Sequence, residues 1–268
     1  MAVDYELSES VARVYLNRPH RLNAVVPELT AGLVGALARA GQDEARVVIL
    51  AGRGRAFCSG HDLKEELPPE TVLATRLRVE QIQDVTRAIR RFPGPVVAAV
   101  HGYALGAGCE FALGCDLVVA SEDAQFGFPE VSVGLSVTGG ISRLLPLLVG
   151  PVRAKELLLL GERFGATRAL QLGLVNQVAV AGQHEQAAIT AAAGAGAGQA
   201  GPRPRSGLRA GGGHGRRGRP RRPDRGAGSG QGCALTPRAC RSRWLRRPAS
   251  RRAGGRTGSP GGSIPATT

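Results

Sequence analysis

At 268 residues the chain can hold one large domain or two small ones around a substantial buried core. Its formal net charge of +14 is unevenly placed: residues 191–268 hold 17 Arg against one acid, Asp224, while the first 190 residues carry a net −2. No apolar run reaches the length of a membrane span, the five cysteines include no C-x-x-C pair, and MAVDYELSES lacks the look of a signal or transit segment. These features argue against a membrane protein or a disulfide scaffold and predict a soluble, cytoplasmic chain with reduced thiols.

In chain order, YELSESVARVYL predicts paired short strands, with Val11, Arg13 and Tyr15 on one face and Ala12, Val14 and Leu16 on the other. PELTAGLVGALARAG predicts a helix: Pro27 and Glu28 suit a first turn, and Leu29, Leu33 and Leu37 share a face. ARVVILAG predicts a buried strand, and TVLATRLRVEQIQDVTRAIRRF a long amphipathic helix stopped by Pro93 and Gly94. PVVAAVHG predicts another buried strand, followed by a helix from near Leu105, and DLVVAS a third strand. LLPLLVGPVRAKELLLLG predicts two helical pieces parted at Gly150-Pro151, and LGLVNQVAV a turn and strand. Continuously apolar strands separated by helices predict an α/β domain with a largely parallel sheet, over residues 1–190. Residues 191–268, rich in Arg, Gly and Pro and holding a single aromatic residue, Trp244, predict a disordered basic low-complexity tail.

Three stretches carry chemistry. In RGRAFCSGHDLKEE the chain leaves a strand and passes through Gly60-His61-Asp62, a loop suited to turning a main-chain N–H outward. In GYALGAGCEFALGCD, Gly106-Ala107-Gly108 sits at the expected start of a helix, with free N–H groups pointing out of its N-terminus. Two such donors can together hold an oxygen that gains negative charge during a reaction. Glu110 in that stretch, and Glu130 in AQFGFPEVSVG, supply two carboxyl groups for acid and base roles. Taken singly, each residue also has a bland reading. The glycines serve close packing, Glu110 complements a helix dipole from an exposed first turn, and Glu130 is a surface loop acid. The His61 side chain is incidental, Asp116 opens a turn or caps, and Cys58, Cys109 and Cys115 are packing residues.

AFCSGHDLKE, VVAAVHGYALGAGCEFALGCDLVVAS and AQFGFPEVSVGL, in this order, resemble the crotonase superfamily, most closely the enoyl-CoA hydratases. LNRPHRLNAV and ATRALQLGLVNQV are similar to it too, so that the likeness covers roughly residues 5–180. The resemblance implies a spiral of ββα units and reversible hydration of a 2-enoyl-CoA to a 3-hydroxyacyl-CoA. By that likeness the N–H groups of His61 and Ala107 form the oxyanion hole. Ala107 stands where the family usually has glycine, a mild departure since only the N–H is used. Glu110 activates the water and Glu130 orients it and protonates Cα. Gly60, His61, Asp62, Leu63, Lys64, Gly106 and Ala107 hold the acyl-CoA, with residues 21–24 on the nucleotide side. The family implies a homotrimer or hexamer with C-terminal helices over the acyl pocket, no metal, and no cofactor besides the CoA of the substrate. SVTGGISRLLP departs from the usual glycine-rich form, with Thr138 near a family glycine. A Δ3,Δ2-enoyl-CoA isomerase, which needs only Glu130, and an inactive protein using the basic tail on nucleic acid are the alternative readings. The tail's near lack of aromatics argues against nucleic acid, and its composition is that of a GC-rich reading frame shifted near AITAAAGAGAG.

Overall fold

A computed structural model describes residues 1–64 and 71–197. β1 (Val3–Ser8) and β2 (Val11–Leu16) form the expected hairpin, antiparallel, with Ser8 opposite Val11. β3 (Val47–Gly52), β4 (Val96–Val100), β6 (Leu117–Ser121) and β9 (Gln177–Ala179) extend it in parallel into a six-stranded sheet of order β1-β2-β3-β4-β6-β9. Every residue of β3 and β4 is buried, as unbroken apolar strands require when helices cover both faces.

The alternation of side chains along each strand divides the core in two. Ala12, Val14, Leu16, Val48, Leu50, Val96 and Ala98 face the larger core. It is completed by α1 (Pro27–Gln42), α2 (Val72–Arg91) and α3 (Ala107–Gly114). Leu29, Leu33 and Leu37 of α1 are buried there, on the face their spacing predicts. Tyr15, Val47, Ile49, Val97, Ala99 and Val119 face the other way, against Ala188 and Ala192 of α6 (His184–Ala197).

A second sheet, of order β5-β7-β8, joins β5 (Tyr103–Leu105), β7 (Gln125–Gly127) and β8 (Phe164–Gly165). It is the main feature that sequence reading missed. Segments of two or three residues are too short to show a period, and their order follows from pairing between distant parts of the chain. The helix expected from near Leu105 therefore begins at Ala107, because residues 103–105 are strand. α4 (Ile141–Leu160) breaks at Gly150 (φ 78°, ψ 159°), where Pro151 follows, as expected. α5 (Ala166–Gln171) leads into β9.

The boundary expected at residue 190 falls inside α6. The helix runs on to Ala197 because Ala191 and Ala192 continue the small-residue contact with the sheet. The rest of the predicted basic tail lies outside the described residues, as do Glu65 and Glu66. No described helix is long and apolar enough to cross a membrane.

Candidate active site

The site is built where the loop after β3 runs beside β5. Cys58 and Ala104 are bridged in parallel: Cys58 N–H donates to Tyr103 C=O at 2.8 Å, and Leu105 N–H donates to Cys58 C=O at 3.0 Å. That register sets Gly60 beside Gly106. The approach is close, since a Cβ placed on Gly106 would stand 3.8 Å from Gly60 Cα. Gly60 (φ 90°) and Gly106 (φ 53°) both take left-handed backbone angles that other residues resist.

Peptide planarity then fixes where the two amides point. Gly60 C=O accepts from Val25 N–H at 2.8 Å, so the trans-related N–H of His61 points away from Val25. Gly106 C=O accepts from Glu110 N–H at 3.0 Å inside α3, so Ala107 N–H points out of the helix N-terminus. Among the described residues neither N–H has a hydrogen-bond partner. Unused amide donors on two neighbouring segments are candidates for holding a developing oxyanion.

Glu110 lies on the first turn of α3 and is 1 % exposed, which overturns the exposed-dipole alternative. Thr138 N–H donates to its Oε1 at 2.6 Å and Thr138 Oγ1 to its Oε2 at 2.7 Å. Burial pushes the carboxyl up to about 7, against the downward pull of Thr138 and with a further upward push from the Glu130 charge. Glu130 sits in the 3-10 turn Pro129–Val133, half-buried rather than on the open surface. A Cβ on Gly106 would stand 3.1 Å from its Oε1, so this carboxyl borders the amide pair. Burial raises it too, against a hydrogen bond from its own main-chain N–H, and its Oε2 is buried without a hydrogen-bond partner among the described residues. Two neighbouring carboxyls whose hold on a proton is strengthened by burial, that of Glu110 up to about 7, are a pair suited to exchanging protons with a bound substrate.

The profile of the enoyl-CoA hydratase/isomerase family matches residues 6–196. The chain belongs to this family. Among relatives, the (E)-benzylidenesuccinyl-CoA hydratase of Thauera aromatica is 42% identical over 185 residues, 66% of this chain and 70% of that protein. The enoyl-CoA hydratase structure from Bacillus anthracis superposes with a TM-score of 0.68 at 34% identity, covering 72% of this chain and 76% of that one. The enoyl-CoA hydratase structure from Mycobacterium smegmatis gives 0.69 at 35% identity, covering 74% and 77%. The reading of the chain as an enzyme stands with these relatives.

The family's sequence pattern also marks parts whose work only the coordinates disclose. In LNRPHRLNAV, buried Asn23 accepts from Arg18 N–H at 2.7 Å and donates to the carbonyls of Arg53 and Ala56 at 2.9 and 2.7 Å. Arg18 in turn holds Ala24 C=O at 2.6 Å and Asp62 at 3.2 Å. Asp62, expected to touch substrate, spends its carboxylate on this latch and on Lys64 N–H. Leu63 and Lys64 are exposed beside it. Burial, and then the Arg78 charge, lowers the His61 ring below the ordinary imidazole range, in a crevice with Val26 and Thr30. Asp116 pairs with the start of β4 through Val96 N–H at 2.8 Å. Cys58 and Cys109 are fully buried thiols; burial pushes Cys58 up to about 12 and Cys109 higher still, which suits packing residues. A concavity of about 700 Å³ between α1 and α2 contains none of the candidate residues.

Proposed function

We propose that the chain adds water reversibly to a 2-enoyl-CoA, giving a 3-hydroxyacyl-CoA. The observation that carries this reading is the pair of unpartnered N–H groups on adjacent segments, bordered by the Glu110 and Glu130 carboxyls. The thioester oxygen accepts from His61 and Ala107 N–H. Glu110, as carboxylate, takes a proton from water as its oxygen bonds to Cβ. The electron pair of the double bond moves toward the carbonyl, and the two amides carry the resulting negative oxygen. Glu130, as the acid, gives its proton to Cα. One proton is thus taken by Glu110 and one delivered by Glu130, and proton exchange restores the starting state. Losing one oxyanion donor in comparable sites costs roughly 3 kcal/mol of barrier. The proposed steps use no metal and no cofactor beyond the CoA of the substrate, with the acyl-CoA lying along residues 60–64 and 106–107.

An isomerase would need only Glu130. The two hydrogen bonds that hold Glu110 in the site support hydration instead. The protein should lower the enoyl thioester absorbance of crotonyl-CoA to an equilibrium level, and Glu110→Gln or Glu130→Gln should each slow that loss by ~10² or more. Undiminished hydration in both variants overturns the mechanism, and double-bond migration of a 3-enoyl-CoA without hydration would favour the isomerase. The family's trimeric or hexameric assembly is proposed here from the apolar side chains exposed along α4, among them Leu147, Val152 and Leu159. A cytoplasmic location is proposed from the free thiols of Cys58 and Cys109.

A further inference from the structure

We propose that Thr138 is a positioning residue that aims Glu110 and favours its ionised form, so that the loop before α4 sets the acidity of the water-activating carboxylate. The inference rests on the hydratase reading above and adds a residue that reading does not use. Thr138 is bonded to both oxygens of one carboxylate, through its main chain at 2.6 Å and its hydroxyl at 2.7 Å. Both are donors, so together they favour the ionised form. Each carboxylate oxygen keeps a second lone pair, which leaves room to accept from a water.

The loop is shaped for this contact. Gly139 takes φ +55°, and a Cβ there would stand 2.6 Å from Glu110 Oε2, so a glycine lets the segment close down on the carboxylate. Ile141 N–H donates to Thr138 C=O at 2.9 Å, which fixes the turn from its far side. The same connection begins at Glu130, whose C=O accepts from Leu135 N–H at 2.9 Å. One short stretch therefore carries both the second acid and the clamp on the first.

Other groups acting on Glu110 oppose ionisation. Glu130, from the 3-10 turn, repels its charge, and burial removes its water. Cys109, next to it on α3, is a buried thiol raised well above its ordinary range and so uncharged. Thr138 is thus the counterweight that holds the carboxyl near neutrality instead of well above it.

Thr138→Val removes the hydroxyl while keeping shape and main-chain N–H, and Thr138→Ser restores the donor. In Thr138→Val the acidic limb of the kcat/KM profile should move up by about one pH unit, an effect of roughly tenfold at pH below the limb. Thr138→Ser should return the limb to its original place. A merely structural role would lower the rate at all pH values and leave the limb where it was. Carboxyl ¹³C NMR titration of Glu110, assigned by the signal lost in Glu110→Gln, reads the same shift without turnover. If Thr138→Val does not fold, Thr138→Ala takes its place in both measurements. An unmoved limb and an unmoved Glu110 titration overturn the proposal. Full hydration by Glu110→Gln overturns the hydratase mechanism instead, while the titration still judges the clamp.

Discussion

Glu110 shows what a buried carboxyl costs the fold. Its carboxyl titrates near 7 in the folded chain against an ordinary 4.5, because burial outweighs the Thr138 hydrogen bonds. Below about pH 4.5 both folded and unfolded chains hold the proton, and the group has no effect on stability. Between 4.5 and 7 the unfolded chain releases the proton and the folded chain keeps it, so stability falls as pH rises. Above 7 the loss levels off at roughly 3 kcal/mol. Glu110→Gln should accordingly melt higher than the parent above pH 7, with the difference vanishing below about 4.5, while hydration is lost. A glutamine can satisfy Thr138 by accepting from its N–H and donating to its hydroxyl oxygen, so the comparison isolates the charge. Calorimetry across that range checks it, and equal melting temperatures at pH 8 would contradict the burial argument.

At the level of elements, the amide pair depends on how near α3 can come to the loop after β3. Gly108 is the closest point: a Cβ there would strike Cys58 C=O and its side chain. Helix propensity alone favours Gly108→Ala by about 1 kcal/mol, whereas overpacking costs about 1–3 kcal/mol. The steric term should win, because the struck carbonyl is itself bonded to Leu105 N–H and cannot yield without parting Gly60 from Gly106. Gly108→Ala should therefore lose about 1–2 kcal/mol in urea unfolding and most of its hydration rate. The Arg18–Asp62 pair works on the same loop from the other side. Their side chains are 18% and 8% exposed, so Asp62→Ala leaves a partly buried guanidinium without its carboxylate. A loss of about 1–3 kcal/mol is expected, with KM rising as the loop of His61 loosens. Such a loss was not to be read from LNRPHRLNAV and HDLKEE, which lie far apart in the chain.

For the whole molecule, the sheet is covered on both faces: by α1, α2 and α3 on one and by α6 on the other. α4 buries Ile141, Leu145 and Ala154 in the larger core and presents Leu147, Leu148, Val152, Leu159 and Leu160 to solvent, beside Val131 and Val133 of the 3-10 turn. Single exposed leucines are ordinary, but a row of them on one helix is the pattern of a surface that meets another protein surface. Sedimentation should give a multiple of the 27.8 kDa chain mass, reduced toward one chain by Leu147→Asp with Val152→Asp. A single-chain mass for the parent would remove the assembly from the proposal.

The strands, the long helices and the order of the site motifs were legible in the amino-acid sequence because each is written in local periodicity or local composition. Val47 to Gly52 must be a buried strand wherever it lies, and Leu29, Leu33 and Leu37 must share a helical face. Tertiary structure decided what those motifs do together. It buried Glu110, left the N–H groups of His61 and Ala107 without partners among the described residues, and brought Thr138 onto a carboxylate 28 positions away. It also spent Asp62 on a latch. Such contacts join residues with no common period, so they arise only when packing closes the chain on itself.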